Sequence, residues 1–278
     1  MSFSSVMVHL TVGTGNEKVL QIAADFAERL KVQRIIGIAG CQPLQVYGDG
    51  VGYISSGLFE LDRAEIEKEM KEAEEQFRTI LNRKAAKLEW RSTVTFGLIA
   101  DFIAREARAA DLLITTPKQI GSIFDSTRRV GVADLVMHVG RPVIVVGEAV
   151  QQLDLGNIIV GWKESREARR AVKDALPLLR IAGSVTITEI TSKEGMPGAR
   201  ERVDDVVNWL RVHDIEASSS TRIVLEDEAT ELDGLAEELG AGMVVGGAYG
   251  HSRLREWVLG GVTRDLLLRP RCCSFVSH

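Results

Sequence analysis

Aromatic residues and cysteines are both scarce in this sequence of 278 residues. Phe, Trp and Tyr make up 5% of the chain, so its core must be built mainly from aliphatic side chains. The three cysteines, Cys41, Cys272 and Cys273, are too few for a disulfide framework. We interpret them as small buried hydrophobic residues, with a redox pair at Cys272 and Cys273 as the alternative.

The sequence also lacks long apolar runs and any excess of basic residues. No stretch approaches the roughly 20 apolar residues that span a bilayer, and the first residues do not resemble a signal peptide. We therefore expect a cytoplasmic protein without a membrane partner. The net charge of −5 at pH 7 and the absence of a basic stripe argue against nucleic acid as a partner.

Familiar catalytic and metal-binding motifs are missing. The sequence contains no G-x4-G-K-[ST], G-x-S-x-G or H-E-x-x-H pattern, and its five histidines form no pair at helical spacing. Gly13 and Gly15 lack the third glycine of a dinucleotide fingerprint, because Lys18 takes its place. These absences favour a protein without catalytic residues or a metal site, although they leave enzymatic activity open.

Short Val- and Ile-rich runs alternate with longer amphipathic stretches along the whole chain, which predicts an α/β protein with parallel strands. Val6–Val12 is predicted to be the first strand and Leu61–Lys87 a long charged helix. The pattern occurs twice: the segment at 111–119 aligns with 242–250, an offset of 242 − 111 = 131. We predict two doubly wound domains, 1–150 and 151–278, each with five parallel strands ordered 3-2-1-4-5.

One segment of the second repeat is rich in glycine. A predicted strand ends at Gly246 and Gly247, and Gly250, Gly260 and Gly261 follow before a predicted helix that includes Val262 and Thr263. Glycines let the backbone approach a phosphate, and a helix N-terminus directs free N–H groups towards it. Open parallel sheets bind ligands at this edge. The alternative is a tight turn with close helix packing and no ligand.

The spacing Gly247-x2-Gly250-x9-Gly260 resembles the nucleotide signature of the universal stress protein family, and the repeated strand order is similar to its tandem members. The resemblance implies a Rossmann-like, adenine nucleotide alpha hydrolase-like fold that binds ATP or AMP, with Mg²⁺ only alongside ATP. It also places Ile190 against the base. The residues implied for nucleotide binding are Gly161, Trp162, Lys163, Ile190, Gly246, Gly247, Gly250, Gly260, Gly261, Val262 and Thr263.

Two positions depart from the family's pattern. Gly261 replaces the Ser or Thr that follows the third glycine, and Lys163 replaces an Asp that contacts the nucleotide. An ammonium group cannot accept the hydrogen bonds that a carboxylate accepts, although Lys163 could instead reach a phosphate. Trp162 is interpreted either as a residue of the adenine space or as a packing aromatic, and Lys163 has a solvated charge as its plain alternative.

The first repeat loses the whole signature. Counterparts of the glycines are Thr116, Gln119, Arg129 and Val130, and Thr11 stands at the Asp position. We therefore expect no nucleotide in this half. Three functions stay open for the chain: a stress-response nucleotide-binding protein, an interaction scaffold with vestigial sites, and a weak ATPase.

The last predicted strands carry an expectation about assembly. Members of the family with one domain dimerise through these strands, so Pro142–Gly147 is expected to pair with Cys273–Ser277 within the chain, with a homodimer as the other arrangement. Such pairing would remove an exposed sheet edge.

Overall fold

The first half of the chain alternates strands and helices as predicted. The computed structural model describes residues 2–44, 56–117, 130–248, 262, 266–267 and 270–278. Within them the first half contains, in order, β1 Ser5–His9, α1 Glu17–Leu30, β2 Arg34–Cys41, α2 Ser56–Ile80, β3 Lys87–Val94, α3 Ile99–Glu106, a 3-10 turn at Ala107–Ala109, β4 Leu112–Thr115, α4 Val132–Val139 and β5 Val143–Val145.

The second half repeats this order. Its elements are β6 Asn157–Gly161, α5 Arg166–Leu179, β7 Ser184–Thr191, α6 Met196–Val212, β8 Ser218–Ile223, α7 Glu228–Glu238, β9 Met243–Gly247 and β10 Cys273–Ser277. Two helices have side-chain N-caps: the Ser165 hydroxyl accepts the N–H of Ala168 ahead of α5, and Asp227 caps α7. These caps fix where each helix leaves the carboxyl edge of the sheet.

The predicted bounds of the long helix and of the first strand were wrong. The helix predicted over Leu61–Lys87 begins earlier, at Ser56. It ends at Ile80, since Arg83 has a positive φ of 63° and Lys87 begins β3 by pairing with Arg34. The charged residues before Lys87 continue a helical polar pattern, but pairing with the sheet overrides it. The first strand ends at His9 rather than at Val12, because Asn16 binds the N–H and the carbonyl of Thr11 in the loop that follows.

All ten strands form one sheet in the order β3-β2-β1-β4-β5-β10-β9-β6-β7-β8. Each half therefore has the predicted 3-2-1-4-5 order of parallel strands. The halves join through an antiparallel pair in which Val145, Ile144 and Val143 face Ser274, Phe275 and Val276. The pairing predicted between the last strands is thus confirmed within the chain, and it removes both inner edges of the sheet.

The two faces of the sheet carry separate aliphatic cores. One core lies under α1, α2, α5 and α6, and the other lies under α3, α4 and α7. The first core runs across the junction of the halves, where the Phe3 ring lies 5.6 Å from that of Phe26 and 6.4 Å from that of Phe275. Cys273 and Cys272 face opposite cores, and none of the three cysteines, all of them among the described residues, forms a disulfide.

The thiols at the end of the chain are poorly ionised. Burial is the main reason that the pKa of Cys272 rises to about 11 and that of Cys273 to about 12. Thiols in that state are weak nucleophiles, in agreement with a packing role for both residues.

Candidate functional site

The candidate site lies at the carboxyl ends of β6, β7 and β9, on the face that α7 covers. Gly161 at the end of β6 is in register with Gly246 of β9 on one side and with Thr188 of β7 on the other. Ile190 packs against the α7-side core, which includes Leu232. The structure therefore brings Gly161, Ile190 and Gly246 to one edge and one face of the sheet, as open parallel sheets do for ligand sites.

Gly161 provides room at this edge. A Cβ built there would lie 3.6 Å from the nearest atom, Leu232 Cδ2, which is an ordinary van der Waals contact. The neighbouring Thr188 is buried, and its Oγ1 has no hydrogen-bond partner among the residues that the structure describes. An unpaired buried hydroxyl costs free energy, so this point of the sheet combines space with an unmet polar group.

The glycine at 247 has a packing explanation. A Cβ on Gly247 would lie 2.5 Å from the backbone nitrogen of Ala168 and 2.6 Å from the carbonyl carbon of Glu167, both in the first turn of α5. Only a glycine lets β9 and that helix approach so closely. A Cβ on Gly246 would lie 3.0 Å from its nearest atom, Leu266 Cδ1, which is the flexible end of a side chain.

Lys163 forms an ion pair that sequence reasoning missed. Its Nζ lies 3.2 Å from both carboxylate oxygens of Glu228, the first residue of α7, and both side chains are about half exposed. Such an exposed pair contributes only about 0–1 kcal/mol to stability. The ammonium group at the rim is therefore held by a contact that a competing anion could replace. The sequence offered one weak signal for this contact, because Glu228 directly follows Asp227, the residue that caps the helix.

Two further carboxylates, one in the N-cap of α7 and one in the first turn of α5, already accept hydrogen bonds within the protein. The backbone N–H of Thr230, then the Thr230 hydroxyl and the N–H of Ala229, lower the pKa of Asp227. Burial alone would raise the pKa of Glu167, but its hydrogen bond with Arg166 helps to lower it overall. Both groups are thus ionised at neutral pH, and neither replaces the Asp that Lys163 displaced.

Trp162 does not share this face. Its backbone N–H donates to the carbonyl of Thr188 at 2.7 Å, but its ring belongs to the core under α5 and α6. Successive side chains of a strand point to opposite faces, so Trp162 and Ile190 are separated by the sheet. Of the two interpretations of Trp162, its burial in this core supports the packing aromatic.

The predicted phosphate loop is described only in part. Gly250, Gly260, Gly261 and Thr263 lie outside the described residues. Val262 is described: it is helical, partly buried and packed against the α7-side core. It therefore lies on the same face as Gly161 and Ile190.

The matching edge of the first half is filled. By position along the two first strands, His9 corresponds to Gly161, and by the offset of 131 Thr115 corresponds to Gly246. His9 and Thr115 are both buried, and the ring Nδ1 of His9 lies 3.0 Å from the Thr115 hydroxyl oxygen. Side chains that hydrogen-bond to each other thus occupy the positions that glycines leave open in the second half.

Comparison with known proteins agrees with this architecture. A universal stress protein from Archaeoglobus fulgidus superposes with a TM-score of 0.73 at 15% identity, over 98% of this chain and 95% of that one. A Pseudomonas aeruginosa protein provisionally named a universal stress protein gives 0.63 at 13% identity, over 99% and 93%. The chain has the tandem universal stress protein fold.

No family model matches this sequence, and neither does any curated protein. The likeness to universal stress proteins is therefore one of fold, and at these identities the fold alone follows from it. Within the residues described, no helix is long and apolar enough to cross a membrane, and no cluster of three His, Cys, Asp or Glu side chains could hold a metal ion.

Proposed function

We propose that this chain is a stress-response protein of the universal stress protein type that binds one adenine nucleotide, ATP or AMP, in its second half. The observation that carries the proposal is the difference between equivalent edges of the sheet. Gly161 leaves space beside the unpaired hydroxyl of Thr188, whereas His9 and Thr115 fill the matching place in the first half. A ligand site needs room and a few convergent polar groups, and of the two edges, as far as the structure describes them, the second comes nearer to this.

The described residues divide the work of binding in this proposal. Ile190 packs against the base, and Gly161 and Gly246 line the floor on the α7-side face. Lys163 exchanges Glu228 for a phosphate of the nucleotide, which gives a charge-assisted contact in place of an exposed ion pair. Gly250, Gly260, Gly261, Val262 and Thr263 form the phosphate loop in the proposal, with Mg²⁺ joining only when ATP is bound.

A second function is favoured by one observation. Because Gly247 is required by the close approach of α5, this glycine does not by itself indicate a phosphate. In the scaffold alternative both edges are vestigial, the Lys163–Glu228 pair is a surface contact, and the protein acts through partners.

Calorimetric titration with ATP and AMP, with and without Mg²⁺, tests the proposal. We expect saturable binding by the unmodified chain. Gly161→Val should weaken it at least tenfold, because the added methyl groups enter the space beside Ile190. Glu228→Gln should tighten it several-fold by releasing Lys163, whereas Glu237→Gln at the other end of α7 should have no effect.

The scaffold alternative predicts other results. Absence of binding at millimolar nucleotide, in the unmodified chain and in Glu228→Gln alike, would overturn the nucleotide proposal. Binding that Gly161→Val leaves unchanged would show that the nucleotide lies elsewhere.

A further inference from the structure

A cleft lies between the two halves of the chain, away from the α7-side face. This junction cleft has a volume of about 670 Å³. The first half contributes Phe3, Asp111 and Gly140–Pro142 to its lining, and the second half contributes one side of α5 from Arg169 to Pro177. Neither half forms the cleft alone, and none of the residues assigned to the nucleotide lines it.

Positive charge exceeds negative charge in the lining. Four cationic side chains, Arg141, Arg169, Arg170 and Lys173, meet two carboxylates, Asp111 and Asp174. The chain as a whole has a net charge of −5 at pH 7, so this local excess is opposite in sign to the rest of the molecule. A concave surface of one sign attracts ligands of the other.

Both carboxylates already serve the protein. Asp111 Oδ2 accepts the backbone N–H groups of Ser4 and Ser5, each at 2.9 Å, and so anchors the start of β1. Asp174 Oδ2 accepts the Ser277 hydroxyl at 2.9 Å. Even with both carboxylates ionised, two negative charges offset only part of the four positive charges in the lining.

The cations differ in how far they are engaged. Arg169 pairs with Glu164, and Arg170 donates to the backbone carbonyl of His278. Arg141 in the first half and Lys173 in the second are exposed and make no ion pair with any part of the chain that the structure describes. The cleft therefore presents one unpaired cation from each half.

We propose that the junction cleft binds a small molecule with at least two phosphate groups, held between Arg141 and Lys173. Phosphate suits the guanidinium fork of Arg141 and the point charge of Lys173. The volume of the cleft exceeds what a single phosphate fills, and Phe3, Pro142 and Pro177 form an apolar wall of the cleft. Because both halves contribute, the ligand would also brace the β5–β10 junction.

Titration with inorganic pyrophosphate and tripolyphosphate at low ionic strength tests this site. We expect binding by the full chain, with a rise in the midpoint of thermal unfolding, since a ligand that binds only the folded state stabilises it. Arg141→Gln and Lys173→Gln should each lower affinity at least fivefold, and the double variant should abolish binding. Arg105→Gln removes the same charge from α3 and should leave affinity unchanged.

A single variant distinguishes the proposed nucleotide site from the junction cleft. Gly161→Val should leave the binding of pyrophosphate intact, so the junction cleft can fail or succeed independently of the proposed function. Equal affinity in Arg141→Gln, Lys173→Gln and Arg105→Gln would overturn the proposal, as would absence of binding by the unmodified chain. All three changes lie on exposed side chains, so unfolding curves should confirm that each variant folds.

Discussion

The two halves of this chain share a fold and differ at the place where that fold offers a site. In the first half, His9 and Thr115 meet at the carboxyl edge of β1 and β4 and are buried. In the second, Gly161 and Gly246 occupy the same places, and the nearby hydroxyl of Thr188 lacks a partner within the described part of the chain. The comparison teaches that side chains that bond to each other can fill the place of a ligand site at the edge of a sheet, with no change of topology.

The largest effect on stability is expected at a glycine that close packing requires, in contrast to a glycine that has room for a Cβ. Gly247→Ala should lower the free energy of unfolding by about 2–3 kcal/mol, because the new Cβ would meet the backbone of Glu167 and Ala168. Gly161→Ala is the control, and its Cβ would meet Leu232 and the carbonyl oxygen of Val245 at ordinary van der Waals distances. Urea unfolding of both variants measures the difference. Equal losses would show that Gly161 is also closed in by its neighbours.

A pair of threonines sharpens the contrast between filled and open edges. Thr115→Val should cost about 1–2 kcal/mol of stability, since it removes the hydrogen bond with His9. Thr188→Val should instead stabilise the chain by about 1 kcal/mol, because its buried hydroxyl has no partner to lose. Thermal and urea unfolding without added nucleotide report both values. Destabilisation by Thr188→Val would mean that the hydroxyl is satisfied in solution.

The outer strands of the two halves differ in the burial of their ion pairs, and the expected effect on stability is smaller than for the threonines. Hydrogen bonds from Lys87 and then Arg91 lower the pKa of Glu89 on β3 from 4.5 to about 2. The stabilisation from Glu89 is therefore present above about pH 4.5 and is lost as the pH falls towards 2. Glu89→Gln should cost about 1 kcal/mol at pH 7, a value that allows for partial exposure.

The second half supplies the control for this prediction. Glu238 pairs with Arg222 of β8 and is far more exposed than Glu89, so Glu238→Gln should change stability little. Unfolding of both variants across pH 2–7 checks the pattern. If the difference between Glu89→Gln and the unmodified chain persisted unchanged to pH 2, the carboxylate would not be the source of the effect.

Sequence reasoning identified the fold well because its signals were local and repeated. Strand β10 has the predicted bounds Cys273–Ser277, and β9 ends at Gly247 as predicted, since each is a short apolar run with a turn signal beside it. The 3-2-1-4-5 order and the β5–β10 pairing followed from the repeat and the family resemblance. The end of α2 was missed because a charged helix end and an exposed edge strand have similar composition.

The site was less predictable for a physical reason. Which face Trp162 occupies depends on the register of β6 within the sheet, and sequence spacing around a loop does not determine it. The Lys163–Glu228 contact and the His9–Thr115 pair each join residues far apart in the chain, 65 and 106 positions respectively. Their residue types carry no motif. Only the assembled sheet shows that one edge is filled and the other open.

Counting nucleotides bound to the intact chain tests the central claim most directly. Native mass spectrometry of the full chain with added ATP or AMP should show one nucleotide per chain at saturation, because only the second half keeps an open edge. Two nucleotides per chain would mean that His9 and Thr115 do not close the first half, and none would mean that Lys163 and Glu228 close the second. Either result would contradict the account.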